Sequence, residues 1–491
     1  MSVRLKIAVV HYHFKPGGVT RVAQATLTGF RSVAPDIQFG FISGPPAYSE
    51  ESSDALCLDG LGYTDPGQRI DPESLYFSLI GAARDLFGGL PDVWHIHNHS
   101  LGKNKAFAGV VQRLAADGRP ILLHIHDFAE DGRPSNYAHI QEGLEAPEDL
   151  YPLGEHIHYG LLNGRDFAIM RSAGVPSENI HLLPNPIPSI NQIDDSVIPD
   201  FSQICKRSKL LLYPVRALQR KNFGELALWS ALAPEDTWLA NTLGPSNPNY
   251  RPSFERWIAK AKSWDLPLVF ELATQTEASF EQIIARANAM ITTSVAEGFG
   301  LGFLEPWTFD KAVLGRDLPE ITQDFKNNGI HLDHLYPRID IPVDFLENFE
   351  ELKAETRLRF SNLRQQYQQT FEDRDIDAIL DSWIQDYQID FGVLSEPIQE
   401  QIIDRIVRER PAWAQTLAHT FFEKEISEQH IQENKHRIQN DLNPEKYAHT
   451  LLGVYQTLAN AKVERVLGHL NPEKILSHFL SPSRFNLLRS L

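Results

Sequence analysis

Glu297 and Glu305 stand eight positions apart, with Gly298, Gly300 and Gly302 between them. A strand-like apolar run, Met290–Val295, precedes the pair, and a helix-like run, Phe303–Phe309, follows its start. One carboxylate therefore falls where a strand ends and the other about one turn into a helix. Glycine lets the backbone turn sharply and approach a ligand closely. The exposed N–H groups of a helix start favour an anion. Two acceptor side chains around an anion site suit a ligand with both hydroxyls and phosphates, and a nucleotide sugar is such a ligand.

A second group lies on the run Leu210–Val215, which ends in Arg216 and leads to Arg220, Lys221 and Asn222. A strand-end arginine and a lysine opening the next helix can clamp a diphosphate, the arginine through its forked donors and the lysine as a point charge. Taken alone, these residues read more plainly as a solvated basic loop; the acidic, hydroxyl-binding turn expected on a neighbouring strand favours the clamp. Near the N-terminus, Gly17 and Gly18 join the first strand to the first helix and can admit a phosphate or a sugar ring to backbone amides. They lack the three-glycine dinucleotide spacing, and a plain tight turn reads equally well.

The histidines recur at period two: His95, His97 and His99, then His124 and His126. Each set shares a face of its strand. A metal site needs three or four converging ligands; hydrogen-bonded histidines at strand ends are the plainer reading, and no metal is expected. His126 ends a central strand and is expected to face an interdomain cleft. Asn185 sits at a strand end between prolines, as in a structural turn. Asp373 and Asp375 resemble a metal-binding pair, but their polar helical stretch suggests a solvated face.

The elements that would position these groups alternate. Strand candidates are Lys6–Val10, Gln38–Ser43, Val93–His97, Ile121–His126, His156–Leu162 and His181–Pro184. Helix candidates are Gly18–Ser32, Pro72–Phe87, Lys103–Asp117 and Arg165–Ala173. After a linker-like stretch, 189–207, strands at Leu210–Val215, Trp238–Leu243, Pro267–Leu272, Met290–Val295 and Ala312–Gly315 alternate with helices at Phe223–Ala233, Ser253–Trp264, Ser279–Asn288 and Leu318–Phe325. Such alternation predicts an α/β chain with two doubly wound, Rossmann-like domains facing a cleft. From about residue 345 the pattern turns helical. There Leu442–Lys446 recurs as Leu470–Lys474, each copy offering an Asn N-cap followed by Pro.

The 491 residues are too many for one core. A net charge of −18 argues against nucleic-acid and anionic-membrane partners. Two cysteines, Cys57 and Cys205, make no disulfide framework and suit a reducing compartment. The first residues suggest a buried strand rather than a signal peptide. No run approaches the roughly 18 apolar residues of a membrane span. A cytoplasmic protein is expected.

Gly17-Gly18, His126-Asp127, Asn185 after a proline, Arg216-x4-Lys221, Glu297-x7-Glu305 and Pro319-Glu320-Ile321 follow one another in order. In this the chain resembles glycosyltransferase family 4, retaining enzymes of the GT-B fold. The resemblance implies an acceptor domain at 1–190, a nucleotide-sugar domain at 208–345, and a helical extension at 346–491, part of which packs back on the first domain. It implies that Arg216 and Lys221 bind the donor diphosphate, Glu297 the transferred sugar and Glu305 the ribose. Gly300, Leu301 and Gly302 would touch the phosphates, His126 the transferred sugar, and Gly17 and Gly18 the phosphates or acceptor. The implied reaction moves a hexose from a UDP- or GDP-sugar to a small soluble acceptor, with no divalent metal or other cofactor. The chain departs from the family pattern at Pro306-Trp307, Lys311-Ala-Val313 and Gly315-Arg316-Asp317, where Arg316 is expected to add positive charge near the donor. Two other readings start from the same residues. A glycoside phosphorylase or hydrolase would need carboxyls flanking the bond, about 5–5.5 or 6.5–9.5 Å apart, which one loop–helix turn provides awkwardly. A non-catalytic sugar-nucleotide binder needs only the affinity.

Overall fold

A computed structural model describes residues 4–48, 54–65, 67–188, 199–410, 412–413, 417, 421–422, 426–463 and 467–489. The chain forms two units: 1–188, 363–370 and 440–481 in the first, and 189–362, 371–439 and 482–491 in the second. Most of the linker-like stretch, 189–198, lies outside the described residues.

In the first unit the strands are β1 (Lys6–His11), β2 (Gln38–Ser43), β3 (Asp54–Cys57), β4 (Val93–His97), β5 (Ile121–Ile125), the short β6 (Pro152–Leu153), β7 (Ile157–Leu161) and β8 (Ile180–Leu182). Seven of them form a parallel sheet in the order β3-β2-β1-β4-β5-β7-β8. Every residue of β4, β5 and β7 is buried, as a sheet covered on both faces requires. One face packs against α2 (Pro72–Phe87) and α3 (Lys105–Ala116). The other packs against α1 (Gly18–Val33) and the late helix Pro444–Ala459, which brings Tyr447, Leu451 and Tyr455 into that layer. The approach is close: a Cβ on Gly29 would stand 2.0 Å from the Pro444 carbonyl oxygen. The repeated Asn-Pro pairs do what their chemistry predicts, since Asn443 and Asn471 accept from the backbone N–H groups of Lys446 and Lys474.

In the second unit β9 (Lys209–Arg216), β10 (Thr237–Leu243), β11 (Leu268–Val269), β12 (Ala289–Thr292) and β13 (Val313–Gly315) form a parallel sheet in the order β11-β10-β9-β12-β13. The order reverses at β9, between β10 and β12, so the crevice at its carboxyl end is a topological switch point, where ligands of open α/β sheets bind. Both sheets are doubly wound and parallel, as expected. No helix among the described residues is long and apolar enough to cross a membrane.

Arg316 is not where the sequence suggested. Beyond β13 its guanidinium turns inward, 4% exposed, and Nε and Nη2 donate to Glu225 at 2.7–3.0 Å. Nη1 and Nη2 donate to Asp390 at 2.8 and 2.9 Å. Tyr336 Oη donates to Glu225 at 2.7 Å and accepts from Trp229 Nε1 at 2.7 Å. Burial pushes the Glu225 carboxyl up while Arg316 opposes it. Two carboxylates aligned on one guanidinium keep the cluster ionised. Arg316 is a buried structural cation and offers no charge to a ligand.

Candidate functional site

The site is built from two loops at the carboxyl ends of β9 and β12. The chain leaves β9 at Arg216, makes a single tight turn at Gln219–Lys221, and enters α6 (Phe223–Ala231) through Asn222. Asn222 has φ 52° and caps the helix by accepting from Glu225 N–H at 3.3 Å. The β12 loop locks onto this turn. Thr293 Oγ1 donates to the Lys221 carbonyl at 2.8 Å, Val295 N–H donates to the Arg220 carbonyl at 2.9 Å, and Tyr213 Oη bonds Ser294 Oγ at 2.7 Å. These short polar side chains give the loop pair one arrangement.

That arrangement presents Glu297. Its Oε2 accepts from Arg220 Nη1 at 2.8 Å, and its Oε1 accepts from Lys221 Nζ. The Glu297 and Lys221 side chains are 16% and 12% exposed. Burial pushes the Glu297 carboxyl up, but the charges of Arg220 and Lys221 outweigh it and hold it at about 2. Burial lowers Lys221 in turn, and Glu297 opposes that. At neutral pH Glu297 is ionised.

Lys221 and Glu297 thus meet. The arginine beside Glu297 is Arg220, which the sequence placed only as a residue between two others. Arg216 is exposed at the end of β9, with a long 3.5 Å contact to the Gly244 carbonyl. The direction the chain takes after β9 decides which arginine faces Glu297, and residue spacing does not carry that direction.

The expected helix Phe303–Phe309 is shorter: a turn at Leu301–Phe303, then α9 (Glu305–Thr308), with Glu305 as its first residue and Pro306 behind it. Proline fits the first helical turn because its missing N–H has no partner there in any case. Four residues carry little macrodipole, so anion affinity here rests on local N–H groups. Gly300 has φ 92°, and a Cβ on it would lie 2.7 Å from Ile321 Cγ2, so both conformation and space call for glycine. Gly302 is exposed, and a Cβ on it would meet nothing within 4 Å. Gly302 therefore leaves its backbone open at the surface.

In the first unit Gly17 and Gly18 open α1 at the surface. A Cβ on Gly18 would meet nothing within 4 Å. His126 is 7% exposed; its Nε2 bonds His97 Nδ1 at 2.8 Å, and its backbone N–H donates to Asn98 Oδ1 at 2.7 Å. Burial pushes its imidazole down to about 3, so it is neutral. Asn185 is 7% exposed, and its Oδ1 has no partner among the described residues. Asp375 caps its own helix, and Asp373 pairs with Arg357 on the surface. An open groove of about 1350 Å³ is lined by Tyr63, Thr64, Arg69, Lys103, Asn136 and His139 among others. No local pattern announces it, because its walls come from distant segments.

Just beyond β5, Glu130 is 1% exposed; its Oε1 accepts from Tyr151 Oη at 3.0 Å and its Oε2 has no partner among the described residues. Burial pushes its carboxyl up to about 7. In the unfolded chain it ionises near 4.5, so the folded state loses stability as pH rises from there to about 7. Glu130→Gln is expected to raise stability by about 1–2 kcal/mol at pH 8 and by little at pH 5. Melting curves at the two pH values test this; an equal effect at both would count against a neutral buried acid.

No sequence-family profile matches the chain. It is 27% identical over 345 residues to the mannosylglucosyl-3-phosphoglycerate synthase of Petrotoga mobilis, across 65% of this chain and 66% of that protein. The alignment therefore spans just under two thirds of that relative's length. Among solved structures, the HepE protein of Anabaena in complex with UDP and glucose superposes with a TM-score of 0.53 at 11% identity, covering 92% of this chain and all of that one. Sucrose-phosphate synthase from Thermosynechococcus elongatus gives 0.51 at 15% identity, covering 93% and 99%. A glycosyltransferase from Rickettsia africae gives 0.50 at 10%, covering 93% and 99%. At these identities the likeness establishes the architecture: the chain has the GT-B fold of these glycosyltransferases.

Proposed function

We propose that this chain is a retaining glycosyltransferase of family 4 type that moves a hexose from a UDP- or GDP-sugar to a small soluble acceptor in the cytoplasm, without a catalytic metal. The observation that carries the reading is the ionised Glu297 held by Arg220 and Lys221 at the switch point of the second sheet. A carboxylate kept charged and half-enclosed accepts hydrogen bonds from sugar hydroxyls. Lys221, Arg220 and the exposed Arg216 place positive charge where a departing diphosphate gathers negative charge, which lowers the barrier without a cation. Glu305, at the first position of α9, takes the ribose, and the amides of Gly300, Leu301 and Gly302 take the phosphates. The acceptor attacks from the face the diphosphate leaves, and a diphosphate oxygen takes its proton. In the first unit the family reading gives the neutral His126 a hydrogen-bonding role toward the transferred sugar, and gives Gly17 and Gly18 one toward the phosphates or acceptor.

The groove at Tyr63, Lys103 and His139 is the acceptor's place in this reading. Lys103 lies 5.5 Å over the Tyr63 ring and has no carboxylate partner among the described residues, which suits an acidic sugar derivative. The name of the Petrotoga relative, with its phosphoglycerate, points the same way.

A thermal-shift panel of nucleoside diphosphates and nucleotide sugars tests the donor site. A true donor at 100 times its dissociation constant is expected to add about 2.7 kcal/mol of stability. The absence of any shift across UDP, GDP and ADP and their hexose derivatives would sink the proposal.

A further inference from the structure

Four histidines at the centre of the first sheet form one cluster. β4 and β5 are adjacent and parallel, with His97 opposite His124. Period two then places His95 and His97 of β4 and His124 and His126 of β5 on one face. The helix Pro444–Ala459 covers that face, and its Tyr455 Oη lies 2.7 Å from His95 Nδ1. His95, His97 and His124 are at most 1% exposed. One ring nitrogen of each lies within 4.8 Å of the others.

Hydrogen bonding does not use up this set. His95 Nε2 bonds His124 Nδ1 at 3.1 Å, and His97 Nδ1 bonds His126 Nε2 at 2.8 Å. His124 Nε2 has no partner among the described residues although the residue is wholly buried. A cluster built only for hydrogen bonding has no reason to bury an unpaired imidazole nitrogen. From these contacts we infer that His95, His97 and His124 form a buried structural site for a divalent transition metal of the zinc, cobalt or nickel class.

The geometry is near what such an ion needs. Tetrahedral nitrogen ligands at about 2.0–2.1 Å from a metal stand about 3.4 Å apart. Within the set the closest approach is 3.1 Å, between His95 Nε2 and His124 Nδ1, and one nitrogen of each residue lies within 4.8 Å of the others. Imidazole suits these borderline ions, whereas calcium and magnesium want oxygen. Tyr455 supplies the outer hydrogen bond that orients a ligating histidine: with His95 Nδ1–H donated to its oxygen, His95 presents the Nε2 lone pair. The ion would tie β4, β5 and the late helix together. The inference does not depend on the proposed transfer reaction.

The test uses tag-free, full-length protein stripped with a chelator and titrated with Co²⁺ at neutral pH. The expected result is one equivalent bound with the visible absorption of a tetrahedral nitrogen site, displaced by Zn²⁺. His124→Asn is expected to abolish the band. Tyr455→Phe, which removes only the outer hydrogen bond, is expected to keep the band and weaken affinity 10–100-fold; it carries the test if the first variant does not fold. Folded protein that shows no band, or a band of equal affinity in wild type and Tyr455→Phe, would overturn the site.

Discussion

Glu297→Gln is expected to lower sugar transfer by about 10²–10³-fold, the loss typical of removing one preorganised electrostatic contact at a reacting centre. The amide keeps the shape but removes the charge that the proposed reaction uses toward sugar hydroxyls and that holds Lys221 in place. The loss should be insensitive to pH across the neutral range, because the wild-type carboxyl titrates near 2. The same residue contributes to stability. Its carboxyl is lowered from 4.5 to about 2 on folding, so its contribution is present above 4.5 and fades as pH falls toward 2. At 16% exposure solvent screens part of this, and about 3 kcal/mol is an upper bound. Transfer assays from pH 6 to 8, with melting curves at pH 7 and pH 3, check both statements. A variant that transfers sugar at the wild-type rate would remove Glu297 from the site. A stability difference that persists at low pH would show that the carboxylate charge is not its source.

The largest effect on folding is expected at Arg316. Arg316→Met removes the only guanidinium between Glu225 and Asp390, which are 0% and 6% exposed. Two carboxylates then stand buried without a cation. Breaking a buried pair from one side costs about 3–5 kcal/mol, far more than the intact pair contributes. For a unit of this size that corresponds to a fall of roughly 10 °C in melting temperature. Arg316→Lys is expected to rescue little, because a point charge cannot reproduce the fork that meets both carboxylates. Gly392 reports the same crowding: a Cβ there would stand 2.3 Å from Arg316 Nη2. Differential scanning calorimetry separates the outcomes, and a loss under about 1 kcal/mol for Arg316→Met would contradict an ionised network.

Much of the fold was legible because it is written in local patterns. β2, β4 and α2 begin and end where apolar runs, Asp71 as N-cap and the Gly88 terminus put them. A cap or an apolar run acts over a few residues, so the sequence displays it directly. β3 was missed because Asp54–Cys57 is a short edge strand with no buried residue, and so carries no hydrophobic pattern. Pro267–Leu272 promised a full strand, but only Leu268–Val269 pairs, at the edge of its sheet, where one neighbour instead of two shortens the ladder.

By itself the sequence determined the two parallel sheets and the helix starts at Asn443 and Asn471. Tertiary structure alone decided that Arg220 takes the place beside Glu297, that Arg316 is a core cation, and that Tyr455 reaches His95 across 360 positions of chain. The reason is physical. Helix caps and strand periods are set by hydrogen bonds among near neighbours, whereas a charge or an imidazole finds its partner through strand order and crossover geometry, which bring together residues with no local relation.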